Sequence, residues 1–266
     1  LTAIHVLQDA VRLSGSAPIA RPAPIDGLPP EHVNSLSADA FFTRMAGVVS
    51  VSDPDALNRL APLGHGVEDA ERAARLGVLA RRAVARGVTV ARTRLQDGLE
   101  TRPYGPTNWR TLREGIGEYG EDYALRAGVA VMGLGANRAE DAIYPNTDID
   151  GTGAPLSGDH VYQIRFEAGQ TPPVDAFWSI TVYDAQGYLI DTPSARYAIN
   201  SQSDLTLDAD GGLTLTFSAE PPHSGQSNWL PIPAGAPFAI TARLYSPQAD
   251  ALSGAWEMPP VERMIE

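Results

Sequence analysis

The chain has 266 residues, 32 acidic against 20 basic, and a formal charge of -12, which opposes nucleic acid and anionic membrane surfaces as partners. Cysteine is absent, so disulfides, thiolate nucleophiles and zinc-thiolate sites are excluded. All 20 basic residues are arginine, which excludes Schiff-base chemistry, a lysine base and a P-loop lysine.

A hydrophobic content of 43% suits a globular chain with a substantial core. No apolar run approaches the roughly 18 residues that a membrane helix needs. The chain opens on Leu1, and the expectation is of a truncated, processed or trimmed chain. Residues 15 to 30 hold Pro18, Pro22, Pro24, Pro29 and Pro30 and read as an extended connector. Ser37 then opens a helix with Phe41, Phe42, Met45, Val48 and Val49 on one face. Asp53-Pro54 is an N-cap and first-turn pair for a short helix ending near Gly64. The longest helical pattern runs from Glu68 to about Leu95, with Gly77 and Gly87 marking a kink or a close helix contact. Residues 96 to 118 read as a polar loop anchored by Trp109. A second buried helix follows from Glu121 to Leu134, in which Arg126 is expected to reach a buried acid.

After Tyr144-Pro145 the period becomes two. His160 to Phe166, Phe177 to Asp184, Leu213 to Phe217 and Phe238 to Tyr245 each alternate apolar and polar residues. The fold class is therefore α+β. A helical region over residues 1–140 packs on an antiparallel β-sandwich, jelly-roll-like, over residues 141–266.

The polar faces of two strands form the leading candidate site. Thr181 and Tyr183 on one strand, with Thr241, Arg243 and Tyr245 on another, offer a guanidinium fork beside aromatic rings. Such a set suits a carboxylate or sugar hydroxyls. Arg196-Tyr197 and Asn228-Trp229 bring the same residue types from loops, and His160 at a strand start could act as acid or base. The competing reading is structural, with Trp229 plugging the sandwich and Arg243 paired to Asp184 or Asp191. Asn146, Asp148, Asp150 and Gly151 begin like a calcium loop. Position twelve, however, is Ser157 rather than a bidentate Glu, and a hydrogen-bonded Asx turn reads the same residues better. No other cofactor is expected. No HExxH or Gly-x-Ser-x-Gly motif occurs.

The segment Ala176-Phe-Trp-Ser-Ile-Thr-Val-Tyr-Asp184 is followed by Gly187-Tyr-Leu-Ile-Asp191, Arg196-Tyr197, Ser227-Asn-Trp-Leu-Pro231 and Arg243-Leu-Tyr245. Together with Tyr119-Gly-Glu-Asp-Tyr-Ala-Leu-Arg126, they resemble proteins that pair the domain-of-unknown-function families 1254 and 1214. The resemblance takes in the end of the first domain and all of the second. It implies an exported, periplasmic or secreted protein with a preceding β-rich segment, and it carries no reaction. Two function classes follow. One is a module that binds or processes a hydroxyl-rich or carboxylated small molecule or polysaccharide. The other is a cofactor-free hydrolase, or a purely structural part of the cell envelope. A homo-oligomer or a companion N-terminal fragment is expected to cover an exposed sheet edge.

Overall fold

The structure is a computed structural model that describes residues 29–52, 78–100, 103–133, 135–192, 194, 196–223 and 226–264. The connector up to residue 28, the short helix after Asp53 and the Glu68 to Gly77 start of the long helix lie outside the described residues. The chain divides into two compact units, Leu1–Arg92 and Thr93–Glu266.

In the first unit, Pro29 and Pro30 open helix α1 (Pro29–Ser35) instead of extending the connector. Proline's fixed φ suits a first helical turn, where its missing N–H is not needed. Helix α2 (Ala38–Ser52) starts as expected, with the Ser37 hydroxyl accepting the Ala40 N–H at 3.2 Å. Helix α3 (Val78–Glu100) begins in this unit and runs unbroken past Gly87. Among the described residues nothing lies within 4 Å of where a Gly87 Cβ would sit, so no described helix packs closely there.

The second unit opens with the last turns of α3 and continues through a looped stretch pinned by Trp109, which is 1% exposed and donates its indole N–H to the Pro259 carbonyl at 2.8 Å. Helix α4 (Tyr123–Met132) follows, capped by the Asp122 side chain accepting the Leu125 N–H at 2.9 Å. This helix is less buried than its composition suggests. Only Gly128 and Val129 are buried, while Val131 and Met132 are 67% and 48% exposed. Arg126 is also exposed, so it does not reach a buried acid.

Two sheets then enclose the core. The first has the order β1–β8–β4–β5, with β2 also pairing β8, and consists of β1 (Ala142–Ile143), β2 (Asn146–Thr147), β4 (Val174–Asp184), β5 (Ala198–Asn200) and β8 (Phe238–Pro247). The second, β7–β6–β3–β9, consists of β3 (Tyr162–Phe166), β6 (Leu213–Ser218), β7 (Trp229–Pro231) and β9 (Glu262–Arg263). A short helix α5 (Ala249–Ser253) follows β8. Alternation does the sorting. Trp178, Ile180 and Val182 on β4 and Phe238, Ile240, Ala242 and Leu244 on β8 join Tyr162, Ile164, Phe166, Leu213, Leu215 and Phe217 in one buried cluster. The sheets are not antiparallel throughout, because β7 runs parallel to β6. A parallel neighbour needs a return connection, and the stretch between Ser218 and Trp229 supplies it.

Candidate functional site

Strand β8 is the middle of the first sheet, and its outward residues are Ala239, Thr241, Arg243 and Tyr245. The register places Phe177 beside Tyr245, Ser179 beside Arg243, Thr181 beside Thr241 and Tyr183 beside Ala239. On the other flank, Ala142 pairs with Tyr245 and Asn146 with Thr241, so Tyr144 falls at the level of Arg243. Arg243 thus stands at the centre of a polar, aromatic face.

Neutral groups hold its guanidinium. Nη1 donates to the Thr181 hydroxyl at 3.1 Å and Nη2 to the Tyr183 phenol at 2.5 Å, and the Arg243 guanidinium carbon lies 5.5 Å from the Tyr183 ring centroid. Among the described residues no carboxylate forms an ion pair with Arg243, neither Asp184 nor Asp191 included. The Tyr183 oxygen accepts from Arg243, and the Tyr144 oxygen accepts from Asn137 Nδ2 at 3.0 Å. Each phenol therefore keeps its own O–H to donate. Phe177 and Tyr245 stack with centroids 4.4 Å apart and extend the face with a flat apolar surface.

This face is the floor of a groove of about 900 Å³. Leu112, Ile116, Val129, Val131 and Met132 form an apolar wall, and the turn from Asp184 to Gly187 bounds another side. Two carboxylates belong to the lining. Asp148 Oδ1 accepts from the Tyr104 phenol at 2.5 Å and from Arg110 Nη1 at 3.1 Å, while the Arg110 guanidinium lies 3.7 Å from the Tyr104 ring centroid. Burial, reinforced by the hydrogen bond to Asp148 and its charge, pushes the Tyr104 pKa up to about 12, so the phenol holds its proton. Asp184 Oδ1 accepts the amides of Gln186 and Tyr188 at 2.9 and 2.8 Å and shapes the turn. Asp184 pairs with Phe238, so this carboxylate marks the end of the groove farther from Tyr245.

The structure brings together Asp148, Tyr183, Arg243 and Tyr245 from the expected set. The others lie elsewhere. His160 precedes β3, its ring set edge-on 6.3 Å from that of Tyr162, outside the groove lining. Arg196 donates to the Ser227 carbonyl, and burial lowers its pKa. Tyr197 is 38% exposed. Asn228 is buried and joins strands, donating to the Thr206 and Thr214 carbonyls at 2.7 and 3.0 Å and accepting the Thr206 N–H at 2.9 Å. Trp229 is buried with its indole N–H on the Ser218 carbonyl at 3.1 Å. Asp150 is buried in an Asx turn, its Oδ1 accepting the Thr152 amide at 2.8 Å, the Thr152 hydroxyl at 2.6 Å and the Ala154 amide at 3.0 Å. Burial alone would raise its pKa, but these bonds and the charge of Arg263 outweigh it and hold the carboxyl below its usual value. Among the described residues no group of three His or acidic side chains is placed to hold a metal ion.

Sequence reasoning missed Tyr144, Asn137, Tyr104 and Arg110. The first sits between two-residue strands, and the rest sit in loops where no periodicity exists to read. One signal was present: Tyr144 stands where the period changes.

Residues 141–249, which carry most of this floor, match the family described as Protein of unknown function (DUF1214). The fold is similar to that of the VPA0106 protein of Vibrio parahaemolyticus, at 22% identity and a TM-score of 0.55, over 94% of this chain. The chain spans 59% of the length of that Vibrio protein. An uncharacterized protein from Burkholderia cenocepacia aligns at 16% identity and a TM-score of 0.35, over 83% of this chain and 51% of that one. No curated protein matches.

Proposed function

We propose that the DUF1214 segment forms a binding module for a small carboxylated or hydroxyl-rich molecule, anchored on Arg243. The observation that carries this is a guanidinium facing a groove with only neutral hydrogen-bond partners. Its positive charge has no counter-ion among the described residues, and the Tyr183 and Tyr144 hydroxyls stand ready to donate beside it. A carboxylate fits that donor set. Binding without chemistry is the reading taken, because His160 lies outside the groove and the two carboxylates in its lining are each engaged. The resemblance to family 1254 and an exported location belong to the same proposal.

Isothermal titration of the whole chain with acetate, glucuronate and octanoate tests it, with the Arg243→Met variant alongside. At least one carboxylate should bind, and the variant should weaken it at least tenfold. The variant should lose only about 1–2 kcal/mol of stability, because two hydrogen bonds to neutral groups are removed and no buried charge is stranded. Absence of binding by all three carboxylates, or equal binding by the variant, would sink the proposal. A loss of stability several times larger would make Arg243 a structural residue.

A further inference from the structure

The groove has two unlike sides, and that asymmetry specifies more than charge. The floor offers Arg243, Tyr183 and Tyr144 as donors, whereas Leu112, Ile116, Val129, Val131 and Met132 form a wall without a polar side chain. Val131 and Met132 are 67% and 48% exposed on α4, in a helix whose sequence is otherwise suited to burial. Exposed apolar side chains beside a polar floor gain by being covered. A free sugar acid presents hydroxyls on nearly every carbon and would leave them unpaired against that wall, which costs free energy. A long unbranched carboxylate has neither problem.

Resting on the carboxylate reading above, we propose that the occupant is an amphipathic monocarboxylate. Its head lies on Arg243 and the two tyrosine hydroxyls, and its hydrocarbon body lies along the α4 wall. A single carboxylate is specified by charge. Asp184, which pairs with Phe238, has no cation at ion-pair distance among the described residues, and Asp148 already holds Arg110, so a second negative group carried past Thr241 meets the Asp184 carboxylate with no further cation in the described lining to receive it. A groove of about 900 Å³ also has room for a body well beyond a two-carbon acid.

The experiment titrates the whole chain with octanoate, suberate, acetate, glucuronate and 1-octanol, and repeats octanoate and glucuronate on Met132→Asp. Met132 is half exposed, so the variant is expected to fold, and its melting curve checks that. Octanoate should bind at least tenfold more tightly than acetate, glucuronate, 1-octanol or suberate. Met132→Asp should weaken octanoate at least fivefold. Glucuronate binding as tightly as octanoate overturns this inference and leaves the carboxylate site standing. Equal binding of octanoate and 1-octanol overturns it by removing the role of the charged head. Octanoate binding untouched by Met132→Asp overturns the placement of the body. If the variant does not fold, Val131→Asp replaces it and is read in the same way.

Discussion

At the scale of single residues, acids of one loop do different work. Asp148 and Asp150 alternate in sequence, yet the first lines the groove and the second closes a turn. Asp150 gives the clearest pH dependence. Its folded pKa lies below the ordinary value, so the unfolded chain binds the proton more tightly. The stabilisation is complete above about pH 4 and is lost as the pH falls further through the folded value. Asp150→Asn keeps an acceptor for Thr152 but loses the charge. The variant should be about 1 kcal/mol less stable at neutral pH. Its unfolding free energy should also fall less steeply than the parent's below about pH 4. Denaturant melts across that range measure both, and parallel acid limbs would refute the assignment.

At the scale of elements, the long strands were legible because alternation over many residues fixes both the strand and its inward face. The same alternation grouped Thr181 and Tyr183 with Thr241, Arg243 and Tyr245 on outward faces. It could not supply register, which is what sets Tyr144 level with Arg243 and brings Tyr183 within reach of its guanidinium. Nor could residue chemistry tell a loop that binds from a loop that ties strands together. Arg196 and Asn228 have the groups a ligand wants, and the structure spends them on backbone carbonyls. Asn228 precedes β7 and links the Thr206 loop to β6, so its amide is a joint between elements. Asn228→Asp would set a carboxylate against two carbonyl oxygens in a buried place. The expected loss is about 3 kcal/mol or more, read by chemical denaturation. A change below about 1 kcal/mol would show that the joint is dispensable.

At the scale of the whole molecule, the buried cluster among the described residues is drawn from residues between Trp109 and Val261, inside the second unit. A chain trimmed to residues 93–266 should therefore fold alone, unfold in one cooperative step and keep Trp109 fluorescence blue-shifted as in the parent. The same fragment should bind octanoate within about threefold of the full chain, since every described residue lining the groove lies within it. Loss of the cooperative melt would mean that the first 92 residues are needed to stabilise the sandwich.

The placement of β8 has a consequence for how the protein is made. Both flanks of the groove floor, with Tyr144 on one and Tyr183 on the other, leave the ribosome well before the strand that separates them. Until Phe238 to Pro247 has emerged, β1, β2 and β4 each wait with the edge that β8 will join unpaired. Unpaired strand edges invite pairing with other chains, and closure between distant segments is slow. Arg243 thus arrives with the strand that completes the sheet, and a stalled nascent chain would be sticky before it could hold any ligand.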